Sequence, residues 1–273
     1  MVTQYQGIYD MPSAQYFAAE AVSNSDLKWI SAPYTPAHFR AYKDGIIEKE
    51  KTEAMKIGSL THTCILEPDK MAGSFVVRPD EVDARTKAGK EWMAAQTAET
   101  IIPQKQADML ARMVEAVWSH PEASALISGS DREKSLFTGD GDLQLKGRID
   151  CLTKSGNIIA DLKTCELADL ASVEKAIFAY GYHRQAAYYL RLANRLGMAK
   201  SKFVFIFVEK TPPHCVAVYC LTEDALRIGE LETATALRVL KSCTKSGVWP
   251  GREKGINLAS LPMWAMKQAE TVI

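Results

Sequence analysis

The stretch GRIDCLTKSGNIIADLKT, from Gly147 to Thr164, decides how the rest of the chain is read. Two short runs rich in β-branched and apolar residues, Ile149 to Thr153 and Ile158 to Leu162, flank a polar break at Ser155-Gly156. That pattern predicts a β-hairpin. With Ser155 and Gly156 as the loop, Ile149 faces Leu162, Cys151 faces Ala160 and Asp150 faces Asp161, and Lys163 falls on the same face as Asp161. A Gly156-Asn157 turn would instead oppose Asp150 to Lys163. Directly opposed side chains have Cβ atoms about 5 Å apart, so a paired Asp150 and Asp161 repel unless something offsets their charge. A divalent cation does so, because hard ions such as Mg²⁺ take carboxylate oxygens together with waters and phosphate oxygens. Lys163 beside it would orient or deprotonate a water, or steady charge building on a phosphate. The bland alternative is an exposed hairpin face whose acids pair with Arg148 and Lys163.

Composition sets the frame. The chain has 273 residues, 47% hydrophobic and 24% charged, the profile of an ordinary globular protein with a substantial core. Its 33 basic and 33 acidic residues balance, so any contact with a polyanion must come from a local basic surface. Six cysteines without a CxxC pair argue against a zinc ribbon and read as buried thiols. Apolar runs such as Phe203 to Val208 are too short to span a bilayer, and Met1 to Gln6 lacks signal-peptide character, so a cytoplasmic location without membrane contact is expected.

Along the chain, Ser23 or Ser25 offers a helix N-cap before Leu27, Trp29 and Ile30, and Pro33 and Pro36 precede a second short helix with Phe39, Arg40 and Tyr42. The pair reads as a capped helical hairpin. Its hydroxyls and helix start also suit phosphate, with Arg40 as a charged helper. Thr52 to Glu67 has apolar residues at helical spacing and carries His62 four residues after Gly58. Arg85 to Lys90 lacks the first glycine and final Ser/Thr of a Walker A loop, leaving a basic loop before the Trp92 helix that could touch a DNA backbone. Helical patterns follow from about Gln104 to Trp118 and after Pro121. Glu133 to Phe137 and Asp142 to Lys146 flank a Gly-Asp-Gly turn and form a second hairpin. A helix is predicted from about Tyr182 to Leu196, with Gln185 and Tyr189 on one face. Phe203 to Glu209 and Cys215 to Leu221 read as buried strands, and Thr222 caps a final long helix to about Cys243.

Asp150 followed by Asp161-Leu162-Lys163 resembles the D…(D/E)xK signature of the PD-(D/E)xK nuclease superfamily, with Ile149 where that superfamily often has proline. Gly58 to His62 resembles the GxxxH motif of RecB-type and phage-type exonucleases, in which the histidine supplies a metal ligand and the glycine permits close packing. Gln185 to Tyr189 resembles the QxxxY motif that follows the DxK element in that group. The surroundings, Ser23 to Leu27, Leu66-Glu67-Pro68, Arg85 to Lys90 and Leu261 to Ala265, resemble the exodeoxyribonuclease VIII (RecE) nuclease-domain family. The resemblance spans nearly the whole chain and implies one domain over residues 1–273 with an α/β (α+β) fold, a mixed central β-sheet flanked by helices. The helical part would end near residue 130, the catalytic sheet core occupy 131–221, and the last helix and tail 222–273.

By that resemblance His62, Asp150, Asp161 and the Leu162 carbonyl would bind Mg²⁺, with Mn²⁺ as a substitute. Lys163 would assist the attacking water, and Gln185 and Tyr189 would support the DNA. Ser23, Ser25, Arg40, Arg85 and Lys90 are the candidate DNA phosphate contacts. The implied activity is 5′-to-3′ digestion of double-stranded DNA ends, leaving 3′ single strands for a RecT-like annealing protein in phage-type recombination. The implied assembly is a ring-shaped homo-oligomer, a tetramer by likeness to RecE. An iron–sulfur cluster is not expected, since Ser31-Ala32-Pro33 lacks the N-terminal cysteine that such relatives use. The rivals are an endonuclease of the same fold and a non-catalytic DNA-binding protein that retains it.

Overall fold

The run FVFIFV, Phe203 to Val208, is apolar at every position because its strand is covered on both sides. In the computed structural model, which describes residues 5–48, 52–98 and 100–270, Phe203, Phe205 and Phe207 point into one core while Val204, Ile206 and Val208 point into another. The strands are β1 (Gly7–Tyr9), β2 (Val76–Arg78), β3 (Ile101–Pro103), β4 (Ser130–Asp140), β5 (Leu143–Thr153), β6 (Ile158–Cys165), β7 (Lys202–Glu209) and β8 (Val216–Cys220). The helices are α1 (Ser13–Ala18), α2 (Asn24–Lys28), α3 (Pro36–Lys43), α4 (Glu53–Leu66), α5 (Lys87–Ala94), α6 (Gln104–Ser119), α7 (Pro121–Ser128), α8 (Leu170–Tyr180), α9 (Tyr182–Arg195), α10 (Glu223–Ser246) and α11 (Met263–Glu270). None of these helices is long and apolar enough to cross a membrane.

Six strands form the central sheet in the order β1-β4-β5-β6-β7-β8, while β2 and β3 pair separately. Every neighbouring pair in the central sheet is antiparallel except β6–β7, whose parallel pairing requires the crossover supplied by α8 and α9. This is the mixed sheet flanked by helices that the sequence led us to expect. The expected buried strand at Cys215 to Leu221 is corrected: β8 is the edge strand, paired only with β7, and its residues are half-buried or exposed.

Helices α4, α6 and α7 cover one face of the sheet, and α2, α9 and α10 cover the other. Contact between α9 and α10 depends on Gly229, where a Cβ would lie 2.2 Å from the backbone oxygen of His183. Ordinarily Gly→Ala in a helix interior gains up to about 1 kcal/mol. Here the backbone clash decides the sign, so Gly229→Ala is expected to destabilise by about 2 kcal/mol net and lower Tm by roughly 5 °C in a thermal melt. An unchanged or raised Tm would show that the two helices can separate without loss.

Candidate active site

Hairpin β5–β6 has the register set by a turn over Ser155-Gly156: Cys151 pairs with Ala160 and Leu152 with Ile159. Gly156 takes a φ of 78°, the left-handed conformation that favours glycine. One step further the ladder opens. The Leu162 N–H donates 2.9 Å to Asp150 Oδ2 instead of to a backbone carbonyl. Across β5 the inward-facing positions also slip at this point, since Ile149 and Leu152 join the same core although they are three residues apart. Asp150 sits at that irregularity, the kind of ladder break that re-aims a side chain next to a functional site.

A second acid arrives from β4. On either side of Glu133, Arg132 pairs with Cys151 and Lys134 with Ile149, so Glu133 lies opposite Asp150. Its φ of 53° is unusual for a residue with a side chain, a strain that clusters at functional positions. From the other side of the sheet, α4 begins at the Thr52 cap and buries Ile57, Leu60, Cys64 and Ile65. This packing directs His62 at the strands, with Nδ1 3.4 Å from Asp150 Oδ2. Ligand atoms of His62, Glu133 and Asp150 all lie within 4.8 Å of one another.

Asp161, only 1% exposed, is held by Gln185 Nε2, which donates 2.7 Å to Oδ1, and by an ion pair with Lys163. The Lys163 ammonium also lies over the Tyr182 ring at 5.0 Å, a cation–π arrangement. Gln185 and Tyr189 share one face of α9, which the absence of a side chain at Gly147 lets approach β5. Burial, reinforced by Asp150 and only partly countered by Lys163, pushes Asp161 up to about 6. Burial and then Asp150 push Glu133 up to about 8 against the opposing pull of Arg148, whose Nε lies 2.7 Å from Glu133 Oε2. Desolvation pulls Lys163 down, but Asp161 and Asp150 outweigh it, so its net shift is upward. Burial raises the Tyr189 phenol well above its usual range, so it is neutral. Two carboxyls, Glu133 and Asp161, driven toward protonation by burial and then by the neighbouring Asp150 charge, with the Asp150 carboxylate and an imidazole beside them, make an oxygen-rich donor set that fits a hard divalent cation.

Of the residues singled out in the sequence, His62, Asp150, Asp161, Lys163, Gln185 and Tyr189 converge. His62, Lys163, Gln185 and Tyr189 line a cleft of about 1050 Å³, together with Ser25. Ser23 does not offer its hydroxyl to this cleft; it closes a capping box with Asp26. Arg40 pairs with Asp44, and Arg85 with Asp83, on exposed surface away from the cleft, and Lys90 is an exposed residue of α5. Gly58 lines the cleft, and a Cβ there would make only ordinary contact with Thr164, so the close packing expected of this glycine does not require it. Sequence reasoning missed Glu133. The signal was present: a two-residue turn at Gly141-Asp142 places Glu133 opposite Asp150 by the same counting that paired Asp150 with Asp161.

The fold has solved relatives. A protein of Eubacterium rectale provisionally named an exonuclease superposes with a TM-score of 0.63 at 15% identity, over 95% of this chain and 98% of that one. An alkaline exonuclease from Laribacter hongkongensis matches with a TM-score of 0.41 at 10% identity, over 96% of this chain and 100% of that one. No curated protein matches the sequence. Residues 23–261 match the family described as a PDDEXK-like domain of unknown function, DUF3799. That match contains the carboxylates, the histidine, the lysine and the α9 pair described above, and the chain therefore belongs to the PDDEXK-like family DUF3799.

Proposed function

We propose that the chain is a metal-dependent exodeoxyribonuclease that hydrolyses double-stranded DNA from 5′ ends. The observation that carries this reading is the convergence of His62, Glu133, Asp150 and Asp161 beside a half-buried Lys163, with His62 and Lys163 lining the cleft. His62, Glu133 and Asp150 would hold Mg²⁺ or Mn²⁺, with Asp161 and the Leu162 carbonyl completing the set. When bound, the metal supplies Lewis-acid polarisation of the scissile phosphate and a more acidic water.

The chain's own residues do the rest. Asp161, fixed by Gln185, keeps Lys163 in place, and the Lys163 ammonium stabilises the charge that grows on the phosphate oxygens. Neutral Tyr189 lines the cleft, where its hydroxyl would serve as a hydrogen-bond donor. Zero net charge gives little long-range attraction for DNA, so this reading includes a ring of identical subunits, four by likeness to RecE, that retains the duplex by enclosure. The 3′ strands would pass to a RecT-like annealing protein.

Time-resolved digestion of end-labelled linear duplex and of closed circular duplex, each with Mg²⁺, tests the reading. Early release of the 5′ label from linear DNA, with the circle intact, is the expected result. Cutting of the circle would replace it with an endonuclease of the same fold. If neither DNA is cut with Mg²⁺ or Mn²⁺, the chain is a non-catalytic protein that retains the fold.

A further inference from the structure

The wall of the cleft on the α2–α3 side carries three aromatic residues that the chemistry above does not use. Trp29, which ends α2, stacks on Tyr42 of α3 with ring centroids 5.1 Å apart and planes at 18°. Tyr34, from the connecting segment, also packs on the indole, with ring centroids 4.6 Å apart and planes at 51°. All three line the same cleft as His62, Lys163, Gln185 and Tyr189. Each is only partly buried, and among the described residues neither the indole N–H nor either hydroxyl makes a hydrogen bond. Trp29 packs in part against the core that holds Leu27, Ile30 and Phe39, with Phe39 stacked on Trp249, but a cluster built solely to pack α2 on α3 would bury all three rings.

Charge at this wall points to a nucleic-acid strand. Lys28 lines the cleft beside Trp29 and has no ion-pair partner among the described residues, whereas Arg184 and Lys210, which also line it, pair with Glu232 and Glu166. An aromatic ladder next to a free ammonium, facing a phosphate-hydrolysing centre, matches the combination that holds single strands: bases stacked on rings and a cation along the backbone. Stacking is tolerant of sequence because every base has a π-face, which suits an enzyme that must degrade any sequence.

We infer that Trp29, backed by Tyr42 and Tyr34, is a stacking platform for an unpaired nucleobase of the strand being cleaved, with Lys28 on its phosphate. The inference rests on the proposed nuclease reading and adds a positioning site to it. The platform holds the strand by its base, so removing the base should weaken binding as removing the ring does.

Fluorescence anisotropy with the full chain, Ca²⁺ and short oligothymidylates with phosphorothioate linkages separates the terms. Base-bearing strands and strands with abasic sites would be compared on the wild type, Trp29→Ala and Trp29→Phe, with Tyr42→Leu as a second probe in case Trp29→Ala fails to fold in a thermal melt. Expected is a loss of about 10- to 100-fold for Trp29→Ala on base-bearing strands, little change on abasic strands, and most of the affinity retained by Trp29→Phe. Equal wild-type affinity for abasic and base-bearing strands would overturn the platform, as would base-dependent binding that is insensitive to both Trp29 and Tyr42. Because this readout needs no cleavage, it fails independently of the digestion assay, which tests the nuclease reading itself.

Discussion

Lys163→Ala is expected to slow hydrolysis roughly 100-fold or more, about 2.7 kcal/mol of transition-state stabilisation, while DNA binding persists. Lys163 is half-buried, paired with Asp161 and seated over the Tyr182 ring, so it is a fixed charge and not a mobile surface lysine. Desolvation pulls its pKa down, but the Asp161 and Asp150 carboxylates reverse the shift and favour the ammonium form. That favours charge stabilisation over proton abstraction, one of the alternatives that spacing alone left open. Removing the ammonium also takes a partner from a carboxylate that is 1% exposed, so Lys163→Met, which retains the packing volume, should be run beside it. Both variants should lose rate together. Near-normal cleavage by either would remove Lys163 from the chemistry, and a collapse of DNA binding to match the rate would reduce it to a binding residue.

Much of this geometry was legible because two local rules agree at the β5–β6 hairpin. Apolar alternation marks the strands, and the Ser155-Gly156 turn sets which residues oppose, which is how Asp161, Lys163 and Asp150 came together on paper. Helical spacing likewise put Gln185 and Tyr189 on one face of α9. Glu133 escaped because its place depends on a second hairpin register and on a backbone φ of 53° that no propensity announces. The exposed edge of β8 escaped because an apolar run reports burial without saying how many neighbours a strand has. Arg40, Arg85 and Lys90 show the opposite failure. Basic composition identifies a possible phosphate contact, but only the fold says whether it faces the cleft, and here Asp44 and Asp83 already occupy the two arginines. Ser23 had two readings, cap and phosphate contact, and its bonds with Asp26 select the cap.

Stability of the metal-free protein should fall as pH rises, the reverse of what salt-bridged carboxylates produce. In the folded chain Glu133 titrates at about 8 against an ordinary value of 4.5, and Asp161 at about 6 against 3.8. Between those limits the folded state holds protons that the unfolded state has released, so the slope of unfolding free energy with pH is negative. Asp161 accounts for the loss from about pH 4 to 6 and Glu133 for the loss up to about pH 8. From pH 6 to 8.5 one retained proton corresponds to on the order of 2–3 kcal/mol, a fall in Tm of roughly 5–10 °C in EDTA. A divalent cation binds the ionised carboxylates, so millimolar Mg²⁺ should raise Tm, and raise it more at pH 8.5 than at pH 6. Glu133→Gln should flatten the metal-free slope above pH 6, because the amide carries no proton to lose, and should weaken the Mg²⁺ response as well. A metal-free Tm that is level from pH 6 to 8.5, or a slope that Glu133→Gln leaves intact, would take Glu133 out of the acidic cluster. A Tm indifferent to Mg²⁺ and Mn²⁺ at pH 8.5 would count against any cation at His62, Glu133 and Asp150, since repulsion between ionised carboxylates is what the cation is required to relieve.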